Sequence, residues 1–285
     1  MEIRVEKLDY IYNPGTPLEL KALEQVTFVL PHSKVLGIIG ATGSGKTTLI
    51  KNLNGLLIPT KGKVLLDGKD TDSYGGLLRR KVGVVFQRPE RQLFESTVYR
   101  DISFALTRFP GMGAEEISDR VEEACKFVGL DLKAIDDRSP LALSDGQKRK
   151  TAIAGILVNR PEIFILDEPA VGLDPPSLKE LVLFLQRLKA LGNRTILIVS
   201  HNMDPFLDLL DHILVLDRGR VAAFGSPAEV CELLDDDPIM REFLPELALF
   251  VHDLRKSGCA VARDEYRIPE LLHQLTNLCS NEGCP

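Results

Sequence analysis

Long apolar runs are missing from this chain. No stretch approaches the roughly 20 uncharged apolar residues that a membrane-spanning helix needs; the most apolar runs, Ile153–Val158 and Thr195–Val199, are short and flanked by polar groups. The chain itself is therefore not expected to cross a membrane. Positive charge is not in excess either. A net charge of −6 and a pI near 5.5 leave no general basic field for phosphate backbones, so nucleic acid is not expected as a partner. Cysteine is sparse and odd in number, with five residues at positions 125, 231, 259, 279 and 284, and no charged-then-apolar leader occupies Met1–Tyr10. A reducing cytoplasm without disulfides fits this usage. Tryptophan is absent and the mean hydropathy is +0.01; neither excludes anything.

What is present is enough for a core. With 285 residues and 44% hydrophobic content, the chain accommodates one large α/β domain and a small appendage. From Met1 to about Gly225, short runs rich in Val, Ile and Leu alternate with longer helical patterns, the arrangement of strands covered by helices. Residues 89–161, from Pro89 to Pro161, lack a convincing buried strand and read as an inserted helical subdomain, with helices expected at Ala114–Val128 and Asp145–Val158. After Gly225-Ser226-Pro227 the pattern shifts to shorter helical segments, Ala228–Leu234, Pro245–Lys256 and Pro269–Leu278. Residues 226–285 are therefore read as a C-terminal extension.

Three apolar runs end in chemistry. Val35–Ile39 leads into Gly40, Ile163–Leu166 into Asp167, and Thr195–Ser200 into His201. In open parallel sheets ligands sit at the carboxyl ends of strands, so the three point to one site. Gly40-Ala41-Thr42-Gly43-Ser44-Gly45-Lys46-Thr47 matches the P-loop pattern and is followed by a helical stretch, Thr48–Asn54. Its glycines let successive N–H groups converge on phosphate oxygens, the helix N-terminus adds positive potential, Lys46 neutralises the β- and γ-phosphates, and Thr47 offers a hydroxyl to Mg²⁺. Asp167 and Glu168 close a buried strand, where an unpaired carboxylate is costly unless a cation or substrate meets it. Alone, such a pair is as readily a strand-end turn. Beside the P-loop, Asp167 reads as a Mg²⁺-shell residue and Glu168 as the group that orients or deprotonates the attacking water. His201 is then placed to contact the γ-phosphate or to hold Glu168 and water.

With the P-loop, Gln87, Leu143-Ser144-Asp145-Gly146-Gln147, Asp167-Glu168-Pro169, Gly172-Leu173-Asp174 and His201 in order, the sequence resembles an ATP-binding-cassette ATPase over residues 1 to about 225. The resemblance implies a P-loop ATPase fold and two such chains packed head to tail, each ATP lying between one P-loop and the opposite signature. It also implies roles. Tyr12 resembles the aromatic that stacks on adenine, with Tyr10 as a rival; Gln87 resembles the residue linking Mg²⁺ and attacking water to the membrane partner. Ser144 and Gly146 resemble the signature contacts to the opposite γ-phosphate, and Asp174 matches the loop joining the two sites. The expected nucleotide contacts are thus Tyr12, the P-loop through Thr47 and the following Thr48, Ser144, Gly146 and Asp174. Two positions depart from the family pattern: Asp145 stands where glycine is usual, and Ala170 where Thr or Ser is. The carboxylate of Asp145 is expected near the partner's triphosphate, where it would weaken one composite site.

The stretch Val84-Val85-Phe86-Gln87-Arg88-Pro89-Glu90-Arg91-Gln92-Leu93-Phe94-Glu95 resembles the corresponding loop of energy-coupling-factor and cobalt or nickel importers. That branch implies uptake of a vitamin or metal ion, a second ATPase that is the same chain or a paralogue, a transmembrane coupling protein, a solute-binding membrane subunit, and a peripheral place on the cytoplasmic face of the membrane. Leu93 and Phe94 are read as apolar contacts beside the cleft for a partner helix, or as local core. The extension is read as a brace between ATPase subunits or as a plain appendage. Its cysteines are read as ordinary thiols, and His273 as a helix-surface residue. The competing function is a soluble or regulatory cassette ATPase not coupled to transport.

Overall fold

A computed structural model describes residues 1–108 and 111–280. Strands β1 (Ile3–Tyr12) and β2 (Leu20–Leu30) pair antiparallel, and β4 (Lys61–Leu66) and β5 (Lys69–Asp70) extend them into a four-stranded sheet ordered β2-β1-β4-β5. β3 (Val35–Ile39) and helix α1 (Lys46–Leu53) lie between them in sequence. This antiparallel sheet corrects the expectation that helices cover every strand up to Gly225. At the end of β2 the alternation is plain: Val26, Phe28 and Leu30 are buried while Thr27 and Val29 are exposed, the period of a half-buried antiparallel strand.

The larger sheet follows from runs apolar on both faces. β3, β6 (Val82–Val85), β7 (Ile163–Asp167) and β8 (Thr195–Val199) are buried at every position, and they join β9 (His212–Asp217) and β10 (Arg220–Gly225) in the order β10-β9-β3-β8-β7-β6. All neighbours are parallel except β9 and β10. Val35, Ile39, Phe164 and Leu166 enter one apolar cluster, while Leu36, Ile38, Ile163 and Ile165 enter another beneath the antiparallel sheet. Each such side chain contributes about 1.5–3 kcal/mol by leaving water, which is why these strands carry no polar face.

Between β6 and β7 the chain is helical: α3 (Val98–Thr107), α4 (Ala114–Val128) and α5 (Asp145–Leu157) pack against one another. A short α2 (Leu78–Lys81) precedes β6, and α6 (Pro175–Ala190) links β7 to β8. The extension consists of α7 (Pro227–Leu233), α8 (Pro238–Arg241), α9 (Glu246–Lys256) and α10 (Ile268–Ser280). The four-residue α8 has no counterpart in the sequence reading; Asp237 caps it by accepting from the Ile239 and Met240 N–H groups. α7 begins with a capping box in which Ser226 and Glu229 satisfy each other's backbone donors.

Candidate nucleotide site

The three strand ends meet as the parallel register requires. Leu166 lies opposite Ile198, and Ile38 opposite Val199, so Gly40, Asp167 and His201 leave neighbouring strands on one edge of the sheet. The loop after β3 turns sharply. Gly40 has φ +143° and a Cβ there would sit 2.1 Å from the Leu216 carbonyl oxygen; Gly45 has φ +104° and a Cβ would meet the Ala22 carbonyl oxygen at 2.7 Å. Neither position admits another residue type. Gly45 caps α1, whose first residue is Lys46, two residues earlier than the expected start at Thr48.

Lys46 Nζ donates to the carbonyl oxygens of Gly40 at 2.7 Å and Ala41 at 2.9 Å, which folds the ammonium over its own loop. Burial pulls its pKa down, opposed by the charges of Glu168 and Asp167. Thr47 Oγ1 donates to Asp167 Oδ2 at 3.4 Å. Asp167 is 7% exposed, and burial followed by the neighbouring Glu168 charge raises its pKa above the ordinary carboxylate value. Ser44 is 3% exposed with its Oγ unpartnered among the described residues. A hydroxyl beside a destabilised carboxylate is a donor set suited to a hard divalent cation, and an orphaned hydroxyl inside a cradle of glycines suits an anion.

Glu168 adopts φ +50° and its N–H donates to the Val199 carbonyl at 2.8 Å. Its Oε2 lies 2.9 Å from His201 Nδ1 and 3.4 Å from Ser200 Oγ. Ser200, which the sequence reading did not single out, also donates to the Asn202 carbonyl at 2.8 Å and braces the turn that carries His201. Tyr12 ends β1 with its hydroxyl 3.2 Å from Thr48 Oγ1, and its ring meets Tyr10 edge-on at 4.8 Å. Tyr10 packs on the apolar cluster beneath the antiparallel sheet, which leaves Tyr12 as the aromatic beside α1.

Other expected residues lie apart. Gln87 is exposed beyond the end of β6, and the hydrogen bonds that tie Thr47, Asp167, Glu168, Ser200 and His201 together do not include it. Asp174 caps α6, accepting from the Ser177 N–H at 3.1 Å, and this bonding lowers its pKa. Ser144 caps α5 in a capping box with Gln147. Ser144 and Gly146 line a cleft of about 690 Å³ between α5 and α6, whose walls contain no P-loop residue. Ala170 is partly buried against the larger apolar cluster. Leu93 is buried, as the local-core alternative has it, whereas Phe94 is 65% exposed with its ring edge-on to Phe104 at 4.8 Å.

In the extension, Asp235, His252 and Asp253 bring ligand atoms within 4.8 Å of one another. Arg241 pairs with both carboxylates and Lys256 with Asp235, so the cluster is already neutralised and ties the end of α7 to α8 and α9. Cys125, Cys231 and Cys259 are buried. Cys279 is described in its backbone alone, and Cys284 lies outside the described residues. His273 is exposed on α10, 3.1 Å from the Asn277 amide.

Residues 23–171 match the ABC transporter family, and the chain is 42% identical over 273 residues to the energy-coupling factor transporter ATP-binding protein EcfA2 of Caldanaerobacter subterraneus subsp. tengcongensis, covering 95% of each. The chain belongs to the ABC transporter family. It is one of the family's ATPases, in the branch of energy-coupling-factor ATP-binding subunits. The fold of this ABC ATPase is shared with cbiO1 from Clostridium perfringens, described as part of the ABC transporter complex cbiONQ, at a TM-score of 0.72 and 33% identity over 96% of this chain and 98% of that one. It also matches the ATP-binding cassette MJ0796, a dimer in a post-hydrolysis state bound to ADP and Pi, at a TM-score of 0.69 and 26% identity over 79% and 98% of the two chains.

Proposed function

We propose that this ABC ATPase energises import of a vitamin or metal ion, working as one half of a head-to-tail ATPase pair at the cytoplasmic face of a membrane. Its second half is another copy or a paralogue. A transmembrane coupling protein and a solute-binding membrane subunit complete the assembly. The observation that carries this reading is the length of the likeness: identity to an energy-coupling-factor subunit extends over 95% of the chain, well past residue 171 where the family match ends and through most of the extension.

Each residue then has a task. Gly40, Ala41, Thr42, Gly43, Ser44 and Gly45 present backbone N–H groups to phosphate oxygens, with Lys46 supplying charge and Tyr12 a ring face for the base. Thr47, Asp167 and Gln87 would hold Mg²⁺, which neutralises phosphate charge when bound. Glu168, held by His201, orients and accepts a proton from the attacking water. Ser144 and Gly146 serve the nucleotide of the opposite subunit, and Asp174 joins the two sites.

The test is to purify the tagged chain from solubilised membranes with ATP and Mg²⁺ present and to identify what accompanies it. A polytopic membrane protein, with or without a second ATPase, supports the importer reading; recovery of soluble partners alone overturns it.

A further inference from the structure

Glu168 carries its carboxylate on a strained backbone. A φ of +50° is unfavourable for a side-chain-bearing residue, and it persists where the surroundings over-determine it. Part of the restraint is local: the Glu168 N–H is held by Val199, and the Glu168 carbonyl accepts from the Val171 N–H at 3.3 Å. Another part comes from outside the sheet. Arg149 of α5 donates from Nη2 to the carbonyl oxygen of Pro169, the residue directly after Glu168. Its Nε is buried without a partner among the described residues, and the charge of Glu90 acts on the guanidinium from nearby. Glu90 belongs to the loop that follows Gln87.

We propose that Arg149 is a positioning residue that fixes the backbone of Glu168 to the helix α5 whose first turn carries Ser144 and Gly146. It rests on the reading given above, that Glu168 acts on water and that Ser144 and Gly146 meet the other subunit's nucleotide. The same helix then has two ends of one task. Its N-terminus meets the nucleotide of the opposite subunit, and its second turn grips the strand-end segment bearing this subunit's own carboxylate. A shift of α5 as the pair closes is passed by the guanidinium to Pro169 and on to Glu168. The adjacent Lys150–Glu180 ion pair also spans α5 and α6, at 3.0 Å, but Glu180 is 65% exposed, so that pair is screened by solvent and carries little.

The experiment measures steady-state ATPase activity of the membrane complex carrying R149M, R149K, K150M or E168Q, together with each variant's thermal melting. R149M is expected to lower kcat about tenfold or more while the KM for ATP stays within about threefold, because the P-loop is untouched. R149K, which still reaches the Pro169 carbonyl with one donor, is expected to recover a substantial part of the lost kcat, and K150M to remain within about twofold of the parent. A parent-like kcat in R149M, or an R149K no better than R149M, overturns the proposal. If R149M is not recovered folded, R149K alone decides: a lowered kcat at constant KM supports it, and a raised KM at constant kcat sinks it. An active E168Q would instead overturn the site reading itself.

Discussion

His201 Nδ1 lies 2.9 Å from Glu168 Oε2, joining the residue past β8 to the residue past β7. The imidazole is 69% exposed while the carboxylate is 17% exposed, so the pair has a mostly covered member and an outer one, which in the proposed mechanism act and steer respectively. Glu168→Gln is expected to lower phosphate release by about 10²–10³-fold with fluorescent ATP-analogue binding retained, since loss of one aligned group in such a site costs that much. His201→Ala is expected to reduce turnover by a smaller factor, about tenfold, through misorientation. Equal rates in parent and Glu168→Gln would remove Glu168 from the chemistry.

Asp167 makes a pH-dependent prediction of definite sign. Its pKa is raised from 3.8 by burial and by Glu168, so the native chain holds this proton more tightly than the unfolded chain does. The associated stability is present below 3.8 and is lost as pH rises through the native pKa. At pH 7, without nucleotide or Mg²⁺, Asp167→Asn is therefore expected to melt above the parent, by about 2–4 °C if the relieved charge is worth ~1 kcal/mol. The gap should close on acidification toward pH 4. Mg²⁺ affinity of the parent should fall over the same interval, at a pH where an ordinary aspartate remains ionised. Calorimetry at the two pH values checks the first claim; a lower melting temperature for the Asn variant at pH 7 contradicts it.

Asp145 opens α5 with its side chain 94% exposed and 3.5 Å from Lys148. A carboxylate there is favourable to the helix dipole by about 0.3–1 kcal/mol, and glycine in its place adds backbone entropy. Asp145→Gly should thus lower the melting temperature slightly. It should also raise ATPase activity or leave it unchanged, because it removes a charge that the proposed head-to-tail pairing would bring near the partner's triphosphate. A large fall in turnover would show that the carboxylate assists the site.

For Tyr12 the ring and the hydroxyl can be separated. The hydroxyl meets Thr48 Oγ1 at 3.2 Å, while in the proposed site the ring would face the base. Tyr12→Phe is expected to keep ATP affinity within about twofold, and Tyr12→Ala to weaken it about fivefold to tenfold, the effect of losing ~1 kcal/mol of aromatic contact. Equilibrium titration with ATP decides; equal loss in both variants would assign the role to the hydroxyl.

The parallel core was legible because strands covered on both faces have no polar period: Val35–Ile39, Ile163–Leu166 and Thr195–Val199 stand out as unbroken apolar runs, each ending in a residue with chemistry. The antiparallel sheet was not. Lys7 and Gln25 adopt positive φ, and the β1 register shifts between Val5 and Leu8. Those bulges interrupt the period of two on which a strand is recognised. The P-loop residues are contiguous and thus readable, whereas the Arg149 bond to Pro169 joins residues 20 apart in sequence through tertiary packing that no local pattern records. Leu93 and Phe94 sit side by side, and burial separates them in a way that no local pattern marks.

The bonds from Lys46 to Gly40 and Ala41 clip the end of the loop to its first two residues, so a cation of the chain itself sets the loop's curvature. A substitution at Lys46 therefore removes the charge and the clip together, and a loss of nucleotide binding in such a variant reports on both.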